Sequence, residues 1–292
     1  MLAIMLVSFA GCGSNKTVEY LMENVAEPGI SSIGGEWTVV GLARSGEDIE
    51  QDFFDTYYDN VRASVKSSKG VLSDTHYTEY ARVAIAVAAI GKDPTDIEGY
   101  NILKPLDDYE TVTSQGMNGS AYALIAAKVN DYKLKNEKKY IEHILSQELK
   151  NGGFSYSPKD ERASADMTAI AIQALAMYPE YQEVVDVVQN SIDVLSEIQN
   201  DEGLFADEGF DPSSESVSQV IIALIEAGMN PITDERFIKD GRTLQDVLVN
   251  FSCDNGFCHV VGVGGNLIAT EQAMLALDAL SLMEEGSSLY AF

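Results

Sequence analysis

Five acidic residues stand at matching places in a repeated pattern. Glu36, Glu79, Asp166, Glu215 and Glu271 each fall in the first turn of an apolar, alanine-rich stretch, and Asn118 takes that place in a sixth stretch. Successive positions are 39 to 56 residues apart. Brought together, such carboxylates form a ring of acceptors for a polar or cationic ligand, and crowding can hold one of them protonated as an acid. They also have a structural use. A first-turn acid is stabilised by the helix dipole by about 0.3–1 kcal/mol, and it can accept hydrogen bonds from loop amides. Trp37, Tyr80, Tyr122 and Gln219 lie close to the ring in sequence, as do Arg44 and Arg82, two cations on otherwise apolar stretches. A buried arginine needs a partner, and the acids of the ring are the expected ones. These eleven residues form the candidate ligand-binding set, with Asp166 the candidate acid if the chain is an enzyme.

The elements that must position them are helical hairpins. Residues 144–178, ILSQELKNGGFSYSPKDERASADMTAIAIQALAMY, read as a helix end, a glycine turn, a polar loop and a helix apolar on every side. A helix apolar all round must be buried on all sides, and one hairpin cannot bury it alone. The scheme recurs at residues 190–228 and 243–282, and towards the start at 53–93, 101–129 and 17–46. Six hairpins spread evenly over 13–292 predict one closed all-α domain, with parallel inner helices whose N-termini gather at one mouth. Long loops at 155–164, 206–213 and 259–266 would share the face of that mouth. The last, HVVGVGGN, lacks the strand-before setting and the spacing of a nucleotide fingerprint.

The chain has 46 Asp+Glu against 19 Lys+Arg, a net charge of −27. That excludes a basic nucleic-acid footprint and predicts a solvated acidic surface. Residues 1–12, MLAIMLVSFAGC, form an apolar run ending in small residues before a cysteine. They resemble the end of a bacterial lipoprotein signal, which implies cleavage before Cys12, lipidation of Cys12, and a chain held outside the cytoplasmic membrane. No other stretch is apolar for the 18 or so residues that a membrane span needs. Cys253 and Cys258 flank the sixth turn. A zinc site needs four donors, and none completes the set, so a disulfide pinning the turn is expected, with free thiols the alternative. No histidine has an evident Ser or Asp partner in sequence.

The turn Leu195-x3-Gln199-x3-Gly203-x-Phe205 resembles the glutamine–aromatic repeat of terpenoid cyclases. The turns Gly152-Gly153-Phe154 and Gly256-Phe257, each before an apolar helix, resemble the prenyltransferase and squalene-oxidase repeat. The resemblance is firmest over 138–282 and implies an α/α toroid of six inner and six outer helices. The opening GGEW…GLARSG, residues 34–46, is similar to that of surface proteins of anaerobic Gram-positive bacteria. The toroid is also that of the cobalamin-binding proteins, which makes a corrinoid a possible ligand, although those proteins clamp it with a second domain for which this chain leaves no room.

The family's catalytic motifs are missing. There is no Asp-x-Asp-Asp acid and no Asp-x-Cys zinc pair, and Asp107-Asp108-Tyr109-Glu110-Thr111 is not a DDxxD metal site. Fold alone does not license function. The reading is therefore a non-catalytic, lipid-anchored monomer that binds a small molecule or an envelope partner through its cavity and loop face, with no metal or resident cofactor. The alternatives are an isoprenoid cyclase or prenyltransferase-like enzyme using Asp166, and a structural module for envelope contacts.

Overall fold

A computed structural model describes residues 10–292 apart from 208 and 255, with side chains from Lys16 onward. Six helices form an inner ring: α2 (Glu36–Arg44), α4 (Thr78–Ala89), α6 (Met117–Val129), α8 (Ala165–Leu175), α10 (Ser214–Glu226) and α12 (Leu267–Glu284). Each packs on the next, and α12 closes on α2. The outer helices are α1 (Ala10–Asn24), α3 (Gln51–Ser67), α5 (Tyr109–Thr113), α7 (Glu137–Leu145), α9 (Gln182–Ile198) and α11 (Leu244–Val249). α7, α9 and α11 lie against α6, α8 and α10, each the inner helix before it in the chain; α1 takes the same place on α12 and seals the ring.

The sequence dictates this layering. Along α8 every residue but Asp166 is buried, so it needs neighbours on all sides. On α3 the buried residues are Phe53, Tyr57, Val61 and Val65, a stripe at four-residue spacing that covers the ring with one face only.

Two glycines of the turns are sterically fixed. A Cβ on Gly153, at φ +70°, would lie 2.9 Å from Val194, and one on Gly256, at φ +93°, 2.5 Å from the Thr270 hydroxyl. The next residue is then locked to the inner helix. Phe154 N–H donates to Thr168 Oγ1 at 3.0 Å, and Phe257 N–H to Thr270 Oγ1 at 2.9 Å. The Gln199 amide donates to the Gly203 carbonyl at 3.0 Å and to Phe237 O at 3.3 Å, tying one turn to the next repeat.

α1 starts at Ala10 and packs through Val18 and Leu21. Residues 1–9 and the Cys12 side chain lie outside the described residues. Cys253 and Cys258 are free thiols, not a disulfide. In the two-residue hairpin β1 (Ser252–Cys253) and β2 (Gly256–Phe257), Cys253 pairs with Gly256, which puts Cys258 on the diagonal. Burial, followed by the Cys253 thiol beside it, pushes Cys258 up to about 11.

Candidate functional site

The N-termini of the inner helices meet at one mouth, called the upper mouth below, and the acids there divide into two kinds. Glu36 and Glu271 hold the loops. Glu36 is fully buried, accepts the Ser31 amide at 3.0 Å, and pairs with Arg82 Nε at 3.3 Å. Burial outweighs the attraction of Arg82 and raises its carboxyl to about 7. Glu271 accepts the Gly34 amide at 2.9 Å and the Thr38 hydroxyl. Both are spent on joining repeats. Tyr80 does similar work, its hydroxyl accepting the Leu72 amide at 2.9 Å. Glu79 is half-buried in the first turn of α4.

Asp166 and Glu215 are different. Ser164 caps α8 and Ser213 caps α10, which places the following acid of each helix at the rim. Asp166 is hydrogen-bonded to Ser216 of α10, while its Oδ1 is buried without a partner. Burial raises its pKa, opposed by Ser216 and reinforced by the charges of Asp207 and Glu215. Glu215 Oε2 meets His259 Nδ1 at 2.9 Å, and the imidazole is 55% exposed. The Ser164 hydroxyl donates to Asp207 at 2.9 Å and is also bonded to the hydroxyl of Tyr156, a residue 70% exposed. A carboxyl whose pKa burial raises thus shares one mouth with an imidazole held by a carboxylate.

Below the acids the bore has an aromatic and amide lining. Trp37 and Tyr122 sit on α2 and α6, which α4 separates in the ring, so their rings meet across the bore, 5.8 Å apart. Tyr122 is pushed up to about 12, by burial first, with Arg82 lowering it and Asp166 raising it further. Deeper, Gln173 donates to Gln219 Oε1 at 2.8 Å, and Gln219 in turn to Gln272. The structure therefore unites Asp166, Glu215, Trp37, Arg82, Tyr122 and Gln219 and gives Glu36 and Glu271 to the loops.

Arg44 is misplaced by the sequence reading. As the last residue of α2 it lies about 12 Å below the mouth, at 1.5 Å per residue, where Asp278 and Glu226 are its charged neighbours. His259, Tyr156, Asp207, Ser216, Gln173 and Gln272 escaped that reading. A signal for several of them existed. Glu215 and His259 are 44 residues apart and Ser164 and Asp207 43, one repeat in each case. The expectation that no histidine has a Ser or Asp partner is corrected by Ser120 and His143, while His259 is paired with a glutamate. Ser120 also meets His143 Nδ1 at 2.8 Å, but Ser120 is fully buried and no substrate could reach it.

A closed double ring with its polar groups gathered at the inner-helix N-termini defines an α/α toroid. The chain belongs to the prenyltransferase α/α-toroid family, whose sequence model matches residues 101–288. No curated protein matches it by sequence. Among solved structures it is similar to the unsaturated glucuronyl hydrolase of Bacillus sp. GL1, responsible for glycosaminoglycan degradation. The TM-score is 0.60 at 12% identity, over 96% of this chain and 98% of that one. A polysaccharide lyase aligns with TM-score 0.55 at 12% identity, over 93% and 98%. At that identity the likeness is one of fold. These neighbours are enzymes, so the expectation of a non-catalytic chain draws no support from them. Among the described residues no group of three or more His, Cys, Asp or Glu could hold a metal ion, and no helix is long and apolar enough to cross a membrane.

Proposed function

We propose that the upper mouth is the active site of a glycan-directed enzyme that hydrolyses an uncharged glycosidic bond by general acid–base catalysis. The observation that carries this reading is the juxtaposition of Asp166, with one buried and unpartnered oxygen and a raised pKa, and the Glu215–His259 pair above the Trp37–Tyr122 floor. In the reaction, Asp166 gives its proton to the leaving glycosidic oxygen. His259, oriented by Glu215, takes a proton from the water whose oxygen bonds to the anomeric carbon. Trp37 and Tyr122 offer apolar ring faces to the sugar, and Arg82 and Gln219 offer donors.

The toroid's neighbours act on sugar polymers, which supports the substrate class. Electrostatics sets this chain apart from those that take uronates. An anionic sugar would face Asp207 and Glu215. At about 8 Å and an effective dielectric of 20, each ionised group repels it by about 2 kcal/mol. Arg82, the cation beside Tyr122, already has a carboxylate partner. The same repulsion disfavours β-elimination next to a uronate carboxylate, which needs that carboxylate neutralised. The isoprenoid reading has less behind it, because the mouth is polar and the family's acid motif is missing from the sequence. A corrinoid would need a bore that the Trp37–Tyr122 contact narrows. We carry forward, as part of the proposal, a lipid anchor at Cys12 that holds the mouth outside the membrane; labelling with a radioactive fatty acid, lost in Cys12→Ala, would support it.

The test is a panel of end-labelled neutral, amino and uronic oligosaccharides incubated with the intact chain. Release of a labelled sugar from a neutral substrate, lost in Asp166→Asn, supports the reading. Binding without turnover would return the chain to the role of a binder, and no binding to any sugar would sink the glycan reading.

A further inference from the structure

Four large apolar side chains of the described residues are more than half exposed: Tyr156, Phe210, Val261 and Val263. All four stand on loops of the upper mouth, the ones that lead into α8, α10 and α12. Exposed apolar residues scattered singly need no explanation, but grouped on one face they mark a contact surface. Two of the four carry rings, and both are tied to the site. Asp160 accepts the Ser155 hydroxyl at 2.8 Å and the Ser157 amide at 3.0 Å, which fixes the residues on either side of Tyr156. The Tyr156 hydroxyl is bonded to Ser164, and Ser164 donates to Asp207 at 2.9 Å. The Asp207 carbonyl in turn accepts the Phe210 amide at 3.0 Å. Asp207 thus links two aromatic residues on neighbouring loops, each with its ring largely open to solvent.

We infer that Tyr156 and Phe210 are stacking platforms for sugar rings beyond the cleaved bond, so that the upper mouth selects neutral oligosaccharides of several units over short ones. The surroundings choose this occupant. A lipid or isoprenoid laid on these rings would strip water from the Asp207 and Glu215 carboxylates and offer no hydrogen bond in return. A sugar ring presents an apolar face of C–H groups to an aromatic ring, as other apolar surfaces do. Its hydroxyls are donors for the carboxylates between and beside the platforms. Because Asp160 already holds the Tyr156 loop, little further ordering is lost when a sugar settles on it. Both platforms lie away from the reacting bond and hold substrate and transition state alike, so their loss should raise KM more than it lowers kcat. The inference rests on the glycan hydrolysis proposed above and names the length and polarity of its substrate.

The test is a ladder of neutral oligosaccharides of increasing length, given to the intact chain. Binding is measured by calorimetry on Asp166→Asn, which lacks the proton donor and leaves the sugar whole; turnover is measured with Asp166 in place. From the shortest to the longest sugar the dissociation constant should fall by about 10-fold or more. Phe210→Ala and Tyr156→Ala should each weaken binding of the longer sugars by about 10-fold, as expected of an aromatic anchor, and raise KM more than they lower kcat. Tyr156→Phe keeps the ring and breaks the bond to Ser164, so it should keep the gain with length. If Tyr156→Phe proves as harmful as Tyr156→Ala, Tyr156 is a prop for its loop and the platform role is overturned for it. Should Tyr156→Ala fail to fold, Phe210→Ala at the more exposed ring decides alone, with Phe210→Trp expected to restore binding. Affinity that does not change with length, or that both alanine variants leave intact while turnover persists, would overturn the platforms and leave the glycan reading standing. Neither binding nor turnover of any sugar would overturn both.

Discussion

The two ends of the ring use their carboxylates in opposite ways. At the lower end Glu226 closes α10, where the helix dipole disfavours an acid, and it keeps its place by accepting hydrogen bonds from Ser288 and Tyr290 near the Arg44 guanidinium. At the upper mouth the dipole favours acids, and Glu36 and Glu271 are used to hold loops. Asp166 and Glu215 share that favourable field without being consumed by it: Asp166 keeps one buried oxygen unpartnered, and Glu215 holds an exposed imidazole. One end is thus a packed closure and the other a built opening. The residues of the first should govern stability and those of the second turnover.

The largest effect expected from that contrast is on rate. His259→Ala should lower turnover of a neutral glycan by about 100-fold or more, the usual contribution of a general base, while thermal unfolding is unchanged; a rate within twofold of wild type would remove His259 from the chemistry. Next comes Leu289→Ala at the closed end, which should destabilise the chain by about 2–5 kcal/mol, as for other fully buried leucines, read as a shift in the urea midpoint. Thr168→Val should cost about 1–3 kcal/mol by leaving the buried Phe154 amide without its acceptor. At the rim, Phe210 is 76% exposed, and Phe210→Ala should change stability by less than about 0.5 kcal/mol. A large loss there would mean that the rim, too, is part of the packed frame.

The dependence of stability on pH sharpens the same contrast. Glu36 titrates near 4.5 in an unfolded chain and near 7 in the folded one. The folded chain therefore binds the extra proton between those values, so stability falls as pH rises through this window and the loss is complete above it. Asp166, Glu226, Glu271 and Asp278 are raised in the same direction, mainly by burial. Urea midpoints measured across the window should fall with pH, and Glu36→Gln should flatten part of that slope. Midpoints that rise with pH would show that Arg82 outweighs burial.

The fold was legible because its signals are local. A glycine at positive φ, a following aromatic and an all-apolar helix are read within one hairpin, and six such hairpins leave little choice but a ring. Asp166 and Glu215 were legible for the same reason, as first-turn residues. His259 was not, since what makes it useful is a carboxylate one repeat away, and adjacency across repeats has no local mark. Arg44 was misassigned because helix register places it at the far end of α2, although it is only eight residues from Glu36 in sequence. Tyr290 follows no repeat at all. Its hydrogen bond to Gln173 of α8 depends on residues 287–292 turning back across the ring, which no periodicity announces.

The most direct test of the account is a paired measurement of binding and turnover of one end-labelled neutral oligosaccharide by the wild type and Asp166→Asn. The account predicts that binding stays within about threefold while turnover falls by about 100-fold or more. Equal turnover by the two proteins would contradict the role given to Asp166, and with it the claim that the upper mouth is a catalytic site.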